Sequence, residues 1–512
     1  MKAFKKIIAI ALVMTMVFSL AACGGGGSTD GEVKDTLVFG STWADATSLD
    51  PGIDSSSKSI YIYSSIYDPL FFYDDVEGVQ NGIADSYEIS EDGTEYTVHI
   101  RDNAYFHDGS KIMASDVVFS LLRATQSAAQ VKYASNIADA QVVDDSTVKI
   151  ILKNEFAPFI KYLSGIYIVS EKAITELGEN YGKDAETVVG SGPYMLKEWK
   201  LGEYTLLEAF PEYYRGESPI KYVKVIGIVD ASSMLIALET GDVDLTYNVS
   251  ATDLELIENN PDLTLYTEET SHMFWFLLNN TTFPFNNKYL RQAVNYACNK
   301  EDILQAEKKG WGSLADTNFM LAPQSLGYTS NDAVANYPHD IEKAKECLEL
   351  AGYPDGFEFT ANALQGWGDN AAFALQENLK EVGITMNVEL IEDAVSFNNI
   401  ANLTYQMDVM GTNDRFLDAD MLYDRYYTGS GNNQVGYSNP EVDKLLAAAR
   451  IEQDPEKRTE IYDQAVAILK DDACIIPCYY ETYFAASSSK LKGFDLKSNI
   501  HFQSLYGLYF EE

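Results

Sequence analysis

Histidine is scarce in this chain: there are five in 512 residues, His99, His107, His272, His339 and His501. None stands at the His-x3-His or His-Glu-x2-His spacing that would turn two imidazoles toward one zinc ion. A nucleophile elbow is also missing, because Gly190-Ser191-Gly192 lacks the Gly-x-Ser-x-Gly spacing. No phosphate loop of the Gly-x4-Gly-Lys type occurs. Only generic carboxylates remain for an enzyme to use, so no catalytic residue, metal site or cofactor is expected. Cations are few as well, with 37 Lys and Arg against 77 Asp and Glu, a net charge of −40. No stretch is basic enough to track a phosphate backbone, which excludes nucleic acid as a partner. Beyond residue 20 no apolar run approaches the roughly 20 residues that a membrane-spanning helix needs.

Cysteines number only five. Cys298 falls on an apolar helical stripe with Leu290, Val294 and Ala297, and Cys347 on another with Ile341, Ala344, Leu348 and Ala351. Both read as small core residues. Cys474 and Cys478 flank an extended Ile475-Ile476-Pro477. Four residues of strand span about 13 Å, too far for a mutual disulfide. With no histidine nearby, half a metal site is the weaker reading of this pair.

The fifth cysteine belongs to the N-terminus. Lys2, Lys5 and Lys6 precede an apolar run of 14 residues, Ile7 to Leu20. That run is a signal-peptide core, too short to span a bilayer. Leu20-Ala21-Ala22-Cys23 then resembles a bacterial lipobox, which implies cleavage after residue 22 and a diacylglyceryl group on Cys23. Two acyl chains anchor a protein where one would be marginal. Gly24-Gly25-Gly26-Gly27-Ser28 follows as a flexible tether. Loss of the three lysines takes the net charge from −40 to −43. The remaining length, about 490 residues, exceeds one compact core and calls for two or more lobes. Aromatics reach 12%, including 34 tyrosines, a composition suited to lining a cleft.

Local patterning divides the chain into two styles. Thr36 to Phe39 and Val148 to Leu152 read as strands, and Tyr96, Val98 and Ile100 alternate with polar residues as a half-buried strand should. Ser115 is the expected N-cap of a helix running through Val118, Leu121 and Leu122. Further on, strands at 357–362, 385–391 and 406–412 alternate with helices at 371–382 and near 393–402, a β-α-β-α-β succession that implies a parallel sheet. Asn439-Pro440 and Asp454-Pro455 each place an N-cap residue before a proline at the first helical position.

In open α/β sheets, ligands bind beyond the carboxyl ends of the strands. Those ends lead into three loops: Ser41 to Asp45, Ala363 to Asn370, and Asn413 to Asp418. Each sets an aromatic residue beside polar or charged groups, the makeup of a ligand cleft. The candidate ligand-binding residues are Trp43, Trp367, Asp414, Arg415 and Phe416, with Tyr247 and Trp275 closer to the expected hinge.

Several blocks carry a family resemblance. Ile83-Ala84-Asp85-Ser86-Tyr87 through Gly93, leading into Tyr96-Thr97-Val98-His99-Ile100-Arg101 and Phe106-His107-Asp108-Gly109, resembles the signature of the dipeptide/oligopeptide/nickel family (family 5) of ABC transporter substrate-binding lipoproteins. Ile66-Tyr67-Asp68-Pro69-Leu70, Gly190-Ser191-Gly192-Pro193-Tyr194, Leu238-Glu239-Thr240-Gly241-Asp242 and Ala351-Gly352-Tyr353-Pro354-Asp355-Gly356 extend the match in order from about residue 36 to 495. The resemblance implies an α/β, two-lobed periplasmic-binding-protein-like fold of class II. Residues 36–270 plus 486–512 would form lobe I, with an extra subdomain near 60–190. Residues 271–485 would form lobe II. The hinge would be crossed near Glu269–His272 and near Tyr483–Ala486. It further implies a monomeric extracytoplasmic receptor that closes on a ligand and delivers it to the transmembrane subunits of an ABC permease. An oligopeptide is the ligand expected; nickel is disfavoured because no histidine lies in the three loops. Oligosaccharide is the alternative, through stacking on Trp43, Trp367 and the tyrosines. A surface adhesin or chaperone, or a hydrolase, stands further off.

One departure from the family pattern bears on the ligand. Dipeptide-binding relatives hold the ligand carboxylate with an arginine in the loop matching 362–370, and here that loop has neither arginine nor lysine. They hold the amino group with an aspartate after the strand matching 406–412. Counting back from Asp418 puts Arg415 at that position, while a one-residue shift would put Asp414 there. The expectation is a ligand longer than a dipeptide, or not a peptide, with its far end unclamped by charge.

Overall fold

The computed structural model describes residues 34–42, 46–74, 77–317, 319–414, 416–498 and 503–511. Cys23, Trp43 and Arg415, and with them the anchor and two of the candidate site residues, lie outside the described residues.

An eleven-stranded sheet runs through the molecule. From one edge its order is Thr385–Ile391, Glu358–Leu364, Met407–Asn413, Leu263–Leu278, Ile475–Ser488, Leu245–Thr246, Thr36–Ser41, Tyr222–Gly227, Tyr204–Ala209 and Tyr194–Lys200, with Gly312–Leu314 paired to Ile475–Ser488 outside this path. The expected β-α-β-α-β unit is there. Glu358–Leu364 pairs in parallel with both Thr385–Ile391 and Met407–Asn413. Helices Asp369–Lys380 and Asp393–Ala401 make the crossovers. A separate four-stranded antiparallel sheet is built from Ala84–Ile89, Glu95–Ile100, Thr147–Leu152 and Ile137–Asp144.

Two long strands join the halves of the large sheet. Leu263–Glu269 pairs with Ser488–Thr482, the register then slips, and Met273–Leu277 resumes against Tyr480–Ile475. At the slip, Thr270 Oγ1 donates to the Glu481 carbonyl at 2.9 Å and accepts from the His272 N–H at 3.1 Å. The slip on the second strand therefore sits at Glu481, two residues before the Tyr483–Ala486 crossing read from the sequence.

Strand alternation sorts the side chains beyond this point into two cores. Phe274, Phe276 and Leu278 join Phe359, Leu375 and Tyr479 on one face. Met273, Trp275 and Leu277 join Leu422, Tyr462 and Tyr480 on the other. A third core gathers Leu37, Phe39, Leu207 and Val223 with Ala485, Leu496 and Phe510, so the C-terminal segment packs with the first strands. Helix Ala114–Gln126 covers the small sheet through Val117, Leu121 and Ala124. Its N-cap is Met113 rather than Ser115, because the Asp116 carboxylate reaches back to the Met113 N–H at 3.0 Å.

Helix Asp369–Lys380 likewise starts two residues before the expected Ala371, after Gly368 at φ 78°. Glu307, from a distant helix, accepts the Gly368 and Ala371 N–H groups at 2.8 and 3.1 Å, supplying acceptors that the local sequence lacks. The caps at Asn439 and Asp454 form as expected, each side chain accepting the N–H two residues on. Cys298, Cys347, Cys474 and Cys478 are buried free thiols. No cluster of three or more potential metal ligands exists among the described residues.

Candidate functional site

Beyond the carboxyl end of Met407–Asn413 the chain enters a loop organised by its own carboxylates. Asp414 Oδ1 accepts the Asp418 N–H at 3.1 Å, and Asp418 Oδ1 accepts the Asp420 N–H at 2.9 Å. Arg458 locks the turn from below with a bidentate pair to Asp418 at 2.9 and 2.6 Å, the geometry in which guanidinium and carboxylate match best. The second Asp414 oxygen accepts a hydrogen bond from Ser325 Oγ. Burial, weighed against the hydrogen bonds of Ser325 and the Asp418 N–H, pushes the Asp414 pKa up to about 7.

This loop forms one wall of a cavity of about 520 Å³. Asn413, Asp414, Phe416, Tyr423, Arg425 and Arg450 line it on one side, and Val131, Lys132, Tyr133, Ser135 and Tyr162 on the other. The volume is that of a small-molecule site. The two walls also touch directly. Phe416 stacks on Tyr162 with centroids 4.4 Å apart and meets Tyr133 edge-on at 5.5 Å. Tyr162 donates to Asp420 Oδ2 at 2.9 Å, Lys161 lies 3.5 Å from Asp418, and the Ala157 N–H donates to the Arg450 carbonyl at 2.8 Å.

Polar groups in the cavity are unevenly matched. Arg450 is paired with Asp420 at 2.8 Å. Asn413 Oδ1 is buried without a partner among the described residues, a cost that a ligand N–H would relieve.

The remaining sequence candidates scatter. Tyr247 lines a second cavity of about 270 Å³ with Tyr61, Thr42, Asn248 and Tyr483, its ring 5.0 Å from Phe39. Trp367 is half-buried and edge-on to Phe274 at 5.5 Å, outside both cavities. A Cβ at Gly411 would sit 2.9 Å from its Cζ2 and 2.6 Å from His272 Cε1. Trp275 is a correction: it is 1% exposed, packed in the core with Leu277 and Tyr480 rather than on a cavity wall, because Arg425 lies against its ring, 5.3 Å from its centre, between it and the cavity. The structure thus brings Asp414 and Phe416 into one cavity and leaves Tyr247, Trp275 and Trp367 apart. Tyr133, Tyr162, Arg425 and Arg450 were not read from the sequence. They come from segments distant in the chain, and no local pattern marks them.

Beside the slip in the long strands lies a charged cluster. Glu481 is 3.3 Å from His272 Nδ1 and 2.8 Å from Lys308 Nζ. Burial would raise the Glu481 pKa, but these two neighbours outweigh it and hold it at about 2.

Residues 78–434 match the family model of bacterial extracellular solute-binding proteins, family 5. The chain belongs to this family. A glutathione-binding protein GsiB from Pectobacterium atrosepticum is 30% identical over 480 residues, covering 90% of this chain and 91% of the relative. Among solved structures, the periplasmic binding protein DppA from Helicobacter pylori in complex with the peptide STSA superposes with a TM-score of 0.78 at 26% identity, covering 94% of this chain and 99% of DppA. AgaA from A. tumefaciens R10, in complex with agropinic acid, gives 0.79 at 28% identity, covering 93% and 99%. The fold is the two-lobed α/β fold of family 5 substrate-binding proteins, as the sequence blocks implied, and the protein is extracytoplasmic.

Proposed function

We propose that this protein captures an oligopeptide in the 520 Å³ cavity and hands it to the transmembrane subunits of an ABC importer. The observation that carries the reading is the pairing, in one cavity, of Asp414 with a buried, unfilled Asn413 oxygen. A peptide brings an ammonium for the first and an amide N–H for the second. The peptide complex of DppA and the glutathione-binding relatives are in keeping with it. Oligosaccharide is the weaker reading, since Trp367 stands outside the cavity.

The lobes are taken as 36–270 plus 486–512 and 271–485, with the chain crossing between them near Glu269–His272 and near Tyr483–Ala486; the separation of the core around Leu37 and Phe39 from the core around Met273 and Leu422 supports this. Cys23 carries the lipid that keeps the monomer on the outer face of the membrane. No catalytic step is assigned.

Titration calorimetry with peptides of two to six residues, beside a set of oligosaccharides, tests the ligand. Peptides with free N-termini should bind and N-acetylated ones should bind far more weakly. Binding of sugars with no response to any peptide would overturn the reading.

A further inference from the structure

Of the two arginines that line the 520 Å³ cavity, Arg425 differs from Arg450, which is matched to Asp420. Its donors go to neutral acceptors: Nη1–H to Gln434 Oε1 at 2.8 Å and Nη2–H to Thr412 Oγ1 at 2.6 Å. The guanidinium carbon sits 5.3 Å from the centre of the Trp275 ring, so the aromatic face holds the cation in place. No carboxylate lies within ion-pair distance among the described residues. The adjacent Asp424 also lines the cavity and its charge favours the cation, but its carboxylate accepts from Asn432 Nδ2 at 2.6 Å rather than pairing with Arg425. Among the described residues, two of the five guanidinium N–H groups find an acceptor. Burial pulls the Arg425 pKa down, yet a guanidinium stays charged. A buried charge without a counter-ion is costly unless an anion arrives to meet it.

We propose that Arg425 is the anion-recognising residue of the cavity and takes the carboxylate of a ligand whose amine meets Asp414. The inference rests on the reading of this cavity as the ligand site and narrows the ligand to a zwitterion with both ends inside. The planar fork of arginine suits a carboxylate held by two parallel hydrogen bonds. The 362–370 loop supplies no cation, and here the cation comes instead from helix Met421–Tyr426.

The test compares wild type, Arg425→Gln and Arg425→Lys, each checked for folding by circular dichroism and thermal melting. Calorimetry uses peptides of two to six residues with free and amidated C-termini. Wild type should prefer the free acid by about ten- to a hundredfold. Arg425→Gln should lose the preference, and Arg425→Lys should keep part of it. Equal binding of acid and amide by wild type, or an undiminished preference in Arg425→Gln, would overturn the proposal. If no peptide binds wild type, the peptide reading has failed on its own. Thermal shift with glutarate and its diamide then decides: stabilisation of wild type by glutarate alone, absent in Arg425→Gln, supports Arg425 as the anion site, and any other pattern removes it.

Discussion

Asp414 shows what a buried carboxylate needs if it is to receive a ligand. Its charge is offset by the Ser325 hydroxyl, the Asp418 N–H and Lys161, while Asp418 works against it. The balance leaves its pKa at about 7, against about 3.9 in an unfolded chain. The folded state therefore holds the Asp414 proton to higher pH than the unfolded one. Between about pH 4 and pH 7 the folded state binds more protons, so this group's contribution to stability falls as pH rises and levels off above pH 7. Ligand binding runs the opposite way, because an ammonium is attracted to the ionised form. Affinity for peptides with free N-termini should rise by up to about tenfold per pH unit from pH 5 toward pH 7. Asp414→Asn should flatten both slopes, and an N-acetylated peptide should show no such rise with wild type. Calorimetry from pH 5 to 8 reads the outcome, and a pH-independent affinity in wild type would remove Asp414 from the amine site.

At the scale of elements, the site depends on a loop whose shape is set by carboxylates and held by one arginine. Asp418 and Arg458 have side chains 1% and 4% exposed. Breaking a buried pair strands a charge and costs about 3–5 kcal/mol, whereas replacing both partners with apolar groups is often near neutral. Arg458→Met should therefore lower the urea midpoint sharply, and Arg458→Met with Asp418→Leu should recover much of the loss. If the single variant is as stable as wild type, the loop is held by something else. Sequence reading reached these elements unevenly. The strands Glu358–Leu364, Thr385–Ile391 and Met407–Asn413 were legible because apolar runs and turn residues are local signals, and so the loop with Asp414 and Phe416 could be placed at a strand end. The helix start at Asp369 was not, because its acceptor is Glu307, some 60 residues away. Trp275 shows a related limit: alternation says which residues share a face, but not that Arg425 would cover that face and leave Trp275 in the core. Arg425 could not have been found, since its distinction, the lack of a carboxylate at ion-pair distance among the described residues, exists only in space.

At the scale of the molecule, the two long strands Leu263–Leu278 and Ile475–Ser488 pair from one core group to the other, with register shifts at Thr270–His272 and between Phe274 and Trp275. On the proposed division into lobes, a hinge bend would be absorbed at the Thr270–His272 slip. Closure is then decided where the segments meet. Phe416 fits between Tyr133 and Tyr162, with the Tyr162–Asp420 and Lys161–Asp418 contacts around it. These contacts form only when the walls are together, so they favour the closed form whatever ligand is present. A ligand adds the difference between its contacts in the two forms and nothing more. Phe416→Ala should thus shift the population toward the open form. Ligand-free small-angle scattering of the variant should give a larger radius of gyration than wild type. Saturating peptide should bring both to the same compact value, with the variant needing more peptide because its binding-competent fraction is smaller. Identical profiles for the two proteins at every peptide concentration would mean that Phe416 packs one wall without helping to hold the lobes shut.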